Sequence, residues 1–406
     1  MGRRKLWFAL AAAGVIGGLV GIVLTELMHF IQHTAYGYGA DGVYTSFRKG
    51  VARASEGRRL GVLILCGMLA GGWWLLKRFG KPQIGIKAAL KQPLQGLPFL
   101  TTVFHVLLQI ITVGLGSPLG REVAPREMTA AFASAGGKRL GLDEGEMRLL
   151  IACASGAGLA AVYNVPLAST LFILEAMLGM WTQQAVAAAL LTSVIATAVA
   201  RIGLGDVQQY HPANLAVNTS LLWFSAVIGP ILGATAVYFR RSAEKFPFLK
   251  RDNPRIIPLA IALFALIGAI AVWFPEILGN GKAGNQLTFG GLTGWQYSLE
   301  LTAVKWAVVL MALAAGAYGG LITPSMMLGS TISFAAAAAW NSVFPEMPSE
   351  SAAVVGAAVF LGVSLNMPLT AAVFVLELTY APAALLMPLC TGMAGAVWTA
   401  RKMGCK

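Results

Sequence analysis

Glu122 is the residue of this sequence whose type and surroundings most clearly predict chemistry. It lies between Gly120 and Pro125 in a long apolar part of the chain. Glycine permits an unusual backbone and proline is tolerated in the first turn of a helix, so this spacing predicts a helix that starts inside an apolar layer. The N–H groups at a helix start favour an anion. An ionised Glu122 competes for those groups and a protonated one does not, which predicts a gate; the alternative is a static ion pair with Arg121 or Arg126.

The same kind of break recurs in the second half of the chain. The segment Gly320-Leu321-Ile322-Thr323-Pro324 lies about 200 residues after the first break. A closer repeat relates the segment that begins Asn164-Val165-Pro166 to the one that begins Asn366-Met367-Pro368, and both end in a glutamate, Glu175 and Glu377. Interrupted helices at matching positions of two halves indicate a substrate site near the middle of a bilayer. The alternative is a set of proline kinks that neighbouring helices accommodate.

The composition requires a membrane around these elements. Of the 406 residues, 57% are hydrophobic and only 30 Lys or Arg and 17 Asp or Glu are present, about half the charged share of a soluble protein. At about 20 apolar residues per span, the chain supplies about ten or more membrane-embedded elements. We therefore expect an all-α polytopic membrane protein, with residues 1–204 as the first membrane half and 205–406 as the second, together forming one transmembrane domain.

The formal net charge of +13 is interpreted as an orientation signal rather than as nucleic-acid binding. Basic residues concentrate in 3–5, 77–91, 240–255 and 401–406, whereas 205–220 and 341–351 contain no Lys or Arg. Because cytoplasmic loops carry the excess of basic residues, both termini are predicted to be cytoplasmic, in a multi-pass protein of the cell (inner or plasma) membrane. A basic cluster from Arg48 to Arg59 breaks this pattern.

Other classes of function find little support. The four histidines and four cysteines have no metal-ligand or disulfide spacing, so no metal and no cofactor is predicted. An enzyme would need a nucleophile with a base, or a metal cluster, and neither pattern is visible. A cation-coupled transporter of an organic substrate is a more distant alternative, since the breaks carry mainly Gly, Pro and backbone rather than acidic residues.

Together these motifs resemble those of the CLC family of chloride channels and proton-coupled anion antiporters. Gly120-Arg121-Glu122 is similar to the family's gating motif, Gly319-Gly320-Leu321-Ile322-Thr323-Pro324 to its second-half motif, and Tyr163-Asn164-Val165-Pro166-Leu167-Ala168 to a third. The similarity runs from about Leu60 to Ala400 and is typical of a divergent bacterial-type member without a cytoplasmic regulatory domain.

The resemblance implies a fold and a site. The fold would have two inverted-topology halves of short, broken and tilted helices, assembled as a homodimer in the lipid bilayer. Glu122 would be the gate, and the anion would be bound by Gly120, Arg121, Val123, Gly320, Leu321, Ile322 and Thr323. Arg121 has a second interpretation, as a support of the turn.

Several positions depart from the family pattern. Phe79 stands where the family has an ion-contacting serine, beside Lys81, and Ser117 is a candidate substitute, so Phe79, Lys81 and Ser117 are the pore-lining candidates. Ala176 stands where antiporters carry a proton-passing glutamate, and the pore tyrosine has no counterpart before Lys406. The expected function is transport of a small inorganic anion, chloride first, as a channel or an anion/proton antiporter. The alternative is a fluoride/proton antiporter of the same family.

Overall fold

A computed structural model describes residues 2–39, 46–72, 83–247, 249 and 253–405. Within these ranges the chain is almost entirely helical, which confirms the all-α class. The α-helices are α1 (Gly2–Tyr36), α2 (Phe47–Arg53), α3 (Glu56–Gly71), α4 (Ile86–Lys91), α5 (Phe99–Gly114), α6 (Val123–Leu140), α7 (Glu144–Tyr163), α8 (Pro166–Phe172), α9 (Gln183–Leu204), α10 (Thr219–Glu244), α11 (Ile256–Trp273), α12 (Lys282–Phe289), α13 (Trp295–Ala314), α14 (Ile322–Asn341), α15 (Ser349–Ser364), α16 (Pro368–Thr379) and α17 (Leu386–Lys402). A π-helix, Ile173–Leu178, continues α8, and short 3₁₀ helices occupy Pro275–Ile277 and Ala383–Leu385.

The helices group into two compact units. The first comprises Met1–Met28, Leu75–Ile110 and Arg121–Gln209, and the second comprises His29–Trp74, Ile111–Gly120 and Tyr210–Lys406. Each unit is therefore assembled from separate stretches of the chain. The proposed boundary between residues 204 and 205 stays a prediction.

Many of the helices are suited to a bilayer. Among the described residues, eight helices are long and apolar enough to cross a membrane, and four shorter apolar helices of 10–17 residues accompany them. These twelve elements agree with the ten or more expected from composition. The protein is a membrane protein with multiple apolar helices.

The breaks at Gly116–Gly120 and Gly316–Gly320 share one backbone design. In the first, the N–H of Gly116 donates to Val113 O and the N–H of Ser117 to Thr112 O, at 3.0 Å each. In the second, the N–H of Gly316 donates to Leu313 O and the N–H of Ala317 to Ala312 O, also at 3.0 Å each. Gly116 has φ +105° and Gly316 has φ +76°, a region that favours glycine. The sequence repeat is thus a repeat of hydrogen-bonded geometry.

The Asn-x-Pro repeats also fold alike. Asn164 ends α7 with φ +60°, and Asn366 follows α15 with φ +53°. Asparagine is one of the few residues other than glycine that tolerates this conformation. Two residues later, Pro166 starts α8 and Pro368 starts α16, at the first helical position where a missing N–H costs nothing.

Small residues bring the helices of each unit close together. In the first unit, a Cβ added to Gly17 or Gly21 of α1 would lie 2.8 Å from the Cβ of Ala157 or 2.6 Å from that of Ala161, both on α7. In the second unit, a Cβ at Gly233 of α10 would lie 2.5 Å from the carbonyl oxygen of Ala396. Such small-residue contacts are the usual means of helix association in a membrane, where apolar side chains gain nothing by leaving lipid.

The basic cluster that breaks the charge pattern binds the carboxyl ends of helices. Arg58 donates from Nε to Ala35 O at 2.7 Å and from Nη2 to Thr34 O at 2.9 Å, at the end of α1. Arg59, which is buried, donates to Ala271 O at 3.1 Å, near the end of α11. Cations are favourable at helix carboxyl ends, so the fold supplies carbonyl partners for these two arginines. Their positions therefore have an explanation other than the orientation of the chain in the membrane.

In the second unit, α10 has the segments without Lys and Arg at its start and the basic segments at its other end. At its start, Asn218 Nδ2 donates to Glu346 O at 2.9 Å, which joins the two segments that lack Lys and Arg. At its other end, the Arg241 guanidinium donates to Met403 O, which joins the basic 240s segment to the basic C-terminus. The charge pattern therefore sorts to opposite ends of one 26-residue helix. Which end faces the cytoplasm stays a prediction.

Candidate functional site

Glu122 is fully buried at the start of a helix. It is the N-cap residue of α6, which begins at Val123, and its exposed fraction is 0%. The Tyr163 hydroxyl, at the end of α7, donates to Glu122 Oε2 at 3.1 Å. A buried carboxylate inside an apolar layer is costly, which makes Glu122 a candidate functional residue. The tyrosine supplies a donor to the carboxylate in this buried position.

Arg121 is held against the end of α7. Its Nη2 donates to Val162 O at 3.2 Å, and its guanidinium carbon lies 5.4 Å from the centre of the Tyr163 ring. These contacts support the turn. The buried Nε has no hydrogen-bond partner among the residues that the structure describes. Arg121 thus combines a supporting role with a donor suited to an anion, and both interpretations stay open.

Arg126 is a second cation, and it interacts with Glu122. Its charge interacts with both Glu122 and Glu127. Its Nε donates to the Ser155 hydroxyl at 3.3 Å, and its guanidinium carbon lies 4.4 Å from the centre of the Phe172 ring. This interaction between Arg126 and Glu122 keeps the static ion-pair interpretation as an alternative to the gate.

The helix that starts at the second break has no charged side chain at its start. Helix α14 begins at Ile322 with Leu321 as its N-cap, and within the described residues no side chain caps it. Ile322 is 3% exposed and Thr323 is 1% exposed. The N–H groups in the first turn of a helix have no partner among that helix's own carbonyls. Any anion at this start would be bound by backbone rather than by charged side chains.

Gly120 and Gly320 bind each other. The N–H of Gly120 donates to Gly320 O at 2.7 Å and the N–H of Gly320 donates to Gly120 O at 2.8 Å. Both predicted anion-binding amides are therefore already used, which shifts the expected anion donors to the residues that follow each glycine. Gly319 must be small here, since a Cβ on it would lie 2.5 Å from Leu119 Cβ.

Two buried serines offer hydroxyls near the breaks of the second unit. Ser117 and Ser325 are fully buried, and neither hydroxyl has a hydrogen-bond partner within the described parts of the chain. Ser117 was a pore-lining candidate and Ser325 was missed. The other two pore-lining candidates, Phe79 and Lys81, lie outside the described residues.

Sequence reasoning also missed four buried polar residues inside apolar helices. Lys305 on α13 is fully buried, and its Nζ donates to Ile277 O at 2.9 Å and to Gly279 O at 2.8 Å. Gly279 in turn donates its N–H to Gly116 O at 3.0 Å, which connects this ammonium to the first break. The other three are His105, Gln109 and Glu127. The signal was an ionisable residue in an otherwise apolar span for Lys305, His105 and Glu127, and an uncharged polar residue for Gln109.

Comparison with known proteins gives the family. The model of a family described as voltage gated chloride channel matches residues 62–401. The chain belongs to this family. An H(+)/Cl(−) exchange transporter ClcA from Vibrio vulnificus is 25% identical, and the match covers 98% of this chain and 87% of that one. A protein of the same name from Salmonella arizonae is 27% identical, over 98% of this chain and 85% of the relative.

Solved structures share the fold. A slow cyanobacterial Cl⁻/H⁺ antiporter superposes with a TM-score of 0.85 at 22% identity, covering 99% of this chain and 95% of that one. A CLC-type fluoride/proton antiporter gives 0.78 at 19% identity, covering 98% and 96%. These likenesses confirm the expected CLC-like helical fold. Family membership also confirms a transporter rather than an enzyme.

Proposed function

We propose that the protein carries a small inorganic anion, chloride first, across the cell membrane and exchanges it for protons, with Glu122 as the gate. The observation that carries this proposal is the buried Glu122 carboxylate at the start of α6, with the Tyr163 hydroxyl on it. Relatives named as H(+)/Cl(−) exchange transporters support chloride and proton exchange.

The mechanism follows from competition at a helix start. While Glu122 is ionised, its carboxylate occupies the favourable field of the α6 N-terminus and excludes a permeating anion. A proton that binds Glu122 neutralises it, and the anion then takes its place. Release of the proton restores the closed state, so one titrating group connects proton binding to anion passage.

The anion site is proposed to use backbone more than charge. Val123 at the first start and Leu321, Ile322 and Thr323 at the second supply the helix N-terminal groups, with Arg121 as the added cation. Gly120 and Gly320 would order the two glycine turns, Gly116–Gly120 and Gly316–Gly320, through their mutual hydrogen bonds. Preorganised dipoles of this kind bind an anion without a metal or cofactor.

Reconstituted vesicles test the function. Purified protein in vesicles with an imposed gradient should move chloride, and bromide and nitrate should be compared with it. Failure of chloride, bromide, nitrate and fluoride to move while the protein is folded would refute the proposal. Glu122→Gln is the decisive variant, because it keeps the shape of the side chain and removes its proton chemistry.

Fluoride is the second candidate. The structure of a fluoride/proton antiporter shares this fold. Phe79 in place of the ion-contacting serine and Ala176 in place of the proton-passing glutamate also favour fluoride. Against it, the resemblance implies that a fluoride transporter of this family carries a carboxylate at the second start, and this chain has Leu321 and Ile322 there. Fluoride flux above chloride flux in the same vesicles would reverse the choice.

The proposed assembly is a homodimer in the lipid bilayer with both termini cytoplasmic. Leu167 and Leu369, at equivalent positions of the repeat after Pro166 and Pro368, are 55% and 54% exposed, so each presents an apolar surface that fits a partner subunit. The mass of the detergent-solubilised protein tests the dimer. Cys405, near the C-terminus, tests orientation: a membrane-impermeant thiol reagent should label it from the cytoplasmic side only.

A further inference from the structure

Three polar side chains form a buried cluster between α5 and α6. His105 Nδ1 lies 2.8 Å from Glu127 Oε2. Gln109 Nε2 donates to the same Glu127 oxygen at 3.0 Å and lies 2.8 Å from His105 Nδ1. His105 and Gln109 are 1% exposed and Glu127 is 6% exposed. No residue of this cluster takes part in the gate or in the anion site described above.

The hydrogen bond between His105 and Glu127 requires a proton, which either side chain can carry. A nitrogen and a carboxylate oxygen at hydrogen-bond distance require one proton between them, because neither atom donates without it. The proton is either on the carboxylic acid, beside a neutral imidazole, or on Nδ1 beside a carboxylate, where the ring is neutral or, with a second proton on Nε2, an imidazolium. Such a pair binds or releases one proton with a change of one unit of charge, and buried ionisable groups of this kind form proton relays in membrane proteins.

The pair lies on the line from the gate to the basic end of the first unit. Helices α5 and α6 run antiparallel, since the Ser134 hydroxyl accepts from the Leu97 N–H at 3.4 Å and the Lys138 ammonium donates to Gln95 O. Glu127 follows Glu122 by five residues, or about 7.5 Å along the helix axis. Lys138 is eleven residues further on, about 16 Å along the axis. The cluster is thus the first buried titratable site inward from the gate on this helix.

The charges around the pair suit a transit site. Arg126, on α6 itself, interacts with both Glu122 and Glu127 and thereby couples their charge states. Helix α7 packs against α6, and its Tyr163 donates a hydrogen bond to Glu122. The charged residues of α7 all lie in its first two turns: Glu144, Glu146 and Arg148. Helix α4 carries Lys87 and Lys91, both exposed. The π-helix after α8 carries Glu175, which is half-buried.

We propose that His105 and Glu127 form an internal proton-binding site that passes protons between Glu122 and the basic end of the first unit. In each transfer, the O–H bond of the Glu122 carboxylic acid breaks, and an O–H bond forms on the Glu127 carboxylate or an N–H bond forms on the neutral His105 ring, with no change of oxidation state. Because the step is longer than a hydrogen bond, a water molecule or a movement of the Glu122 side chain carries the proton. This inference rests on the proposed anion/proton exchange.

Matched variants in the full-length protein test this site. Glu127→Gln keeps a hydrogen-bonding side chain of the same length and removes the titratable group, and His105→Asn does the same on α5. Glu276→Gln is the control, because Glu276 in the second unit is also buried and also accepts a side-chain hydrogen bond, from the Tyr297 hydroxyl at 2.7 Å. Chloride flux and proton flux are measured together in vesicles under a chloride gradient.

The expected result separates the two fluxes. Both Glu127→Gln and His105→Asn should keep chloride flux and lose chloride-driven proton flux, whereas Glu276→Gln should keep both. Proton flux that persists in both variants would overturn the proposal, and so would a parallel fall of both fluxes, which indicates a structural clamp. A wild-type protein that moves chloride without protons overturns this inference and leaves anion transport intact, while a wild-type protein that moves no anion overturns the proposed function itself.

Infrared difference spectra give a second readout that does not depend on transport. As pH is lowered, the wild-type protein should gain either the carbonyl band of a buried carboxylic acid, which Glu127→Gln lacks, or a ring band of imidazolium, which His105→Asn lacks. Spectra of wild type and variants that are identical at these bands would show that the pair does not titrate, which contradicts the proposal.

Discussion

The starts of α6 and α14 show the same backbone carrying different side chains. Both follow a glycine turn of equal hydrogen-bond pattern, at Gly116 and at Gly316. The α6 start carries Glu122 with Arg121 and Tyr163 around it, whereas the α14 start carries Leu321 and Ile322. The repeated property is therefore the broken helix itself. Only the α6 start carries a carboxylate, so under the proposed function protons control that start and do not control the other.

The largest expected effect on chloride and proton flux comes from Glu122→Gln, which removes the carboxylate that distinguishes the α6 start from the α14 start. With no titratable group at either start, chloride flux should lose its dependence on pH, and chloride-driven proton flux should vanish. Glu377→Gln, which changes an intramembrane glutamate of the second half, is the control and should leave the pH response intact. A pH response retained by Glu122→Gln would remove the gate from this residue.

The opposite experiment places a carboxylate on the uncharged start. Leu321→Glu puts a carboxylate at the N-cap of α14, in the position that Glu122 has in α6. A helix N-terminus stabilises an anionic group by up to about 2 kcal/mol, which corresponds to about a 30-fold change in occupancy. Chloride flux should fall by up to that factor at neutral pH and recover at low pH, while Leu321→Gln should show no such recovery. Flux that is unchanged at neutral pH would mean that the second start does not face the anion.

The shared backbone can be disturbed without changing charge. Gly319→Ala forces a Cβ against Leu119 and the carbonyl oxygen of Gly120, and overpacking of this kind costs about 1–3 kcal/mol. The midpoint of thermal unfolding in detergent should fall. Gly57→Ala is the matched control, since nothing lies within 4 Å of a Cβ there. An equal midpoint for both variants would mean that the turn can yield without cost.

The smallest expected effect comes from removing the Tyr163 hydroxyl that donates to Glu122. Tyr163→Phe removes the hydroxyl that donates to Glu122 Oε2, which makes the ionised carboxylate less favourable. The pH of half-maximal chloride flux should therefore move upward by about one unit, equivalent to about 1.4 kcal/mol. Tyr297→Phe, which removes the similar bond to Glu276 in the second unit, should not move it. A downward shift for Tyr163→Phe would contradict this interaction.

The repeat made much of this arrangement predictable from sequence. Gly120, Gly320, Pro166 and Pro368 identified the helix starts because Gly and Pro have few local conformations, so their positions carry geometric meaning. The burial of Glu122 followed from its place in an apolar stretch. Local rules were sufficient wherever one residue and its neighbours determine the backbone.

Long-range pairs were not predictable in this way. His105 and Glu127 are 22 residues apart and on different helices, and no spacing rule connects them. The bond of Arg59 to Ala271 likewise joins residues 212 apart, so the sequence alone offered no partner for the basic cluster that breaks the charge pattern. That the amides of Gly120 and Gly320 bind each other, and not an anion, also required the folded chain.

The Gly120–Gly320 bridge has a consequence for the order of biosynthesis. The ribosome makes Gly320 200 residues after Gly120, yet each supplies the other's hydrogen-bond partner. Until the second glycine turn is inserted, the polar backbone of the first remains in an apolar layer without this partner, where an unsatisfied group costs several kcal/mol. The nascent first half is therefore expected to be a target for membrane quality control, and chains truncated before Gly320 should be degraded rather than accumulate.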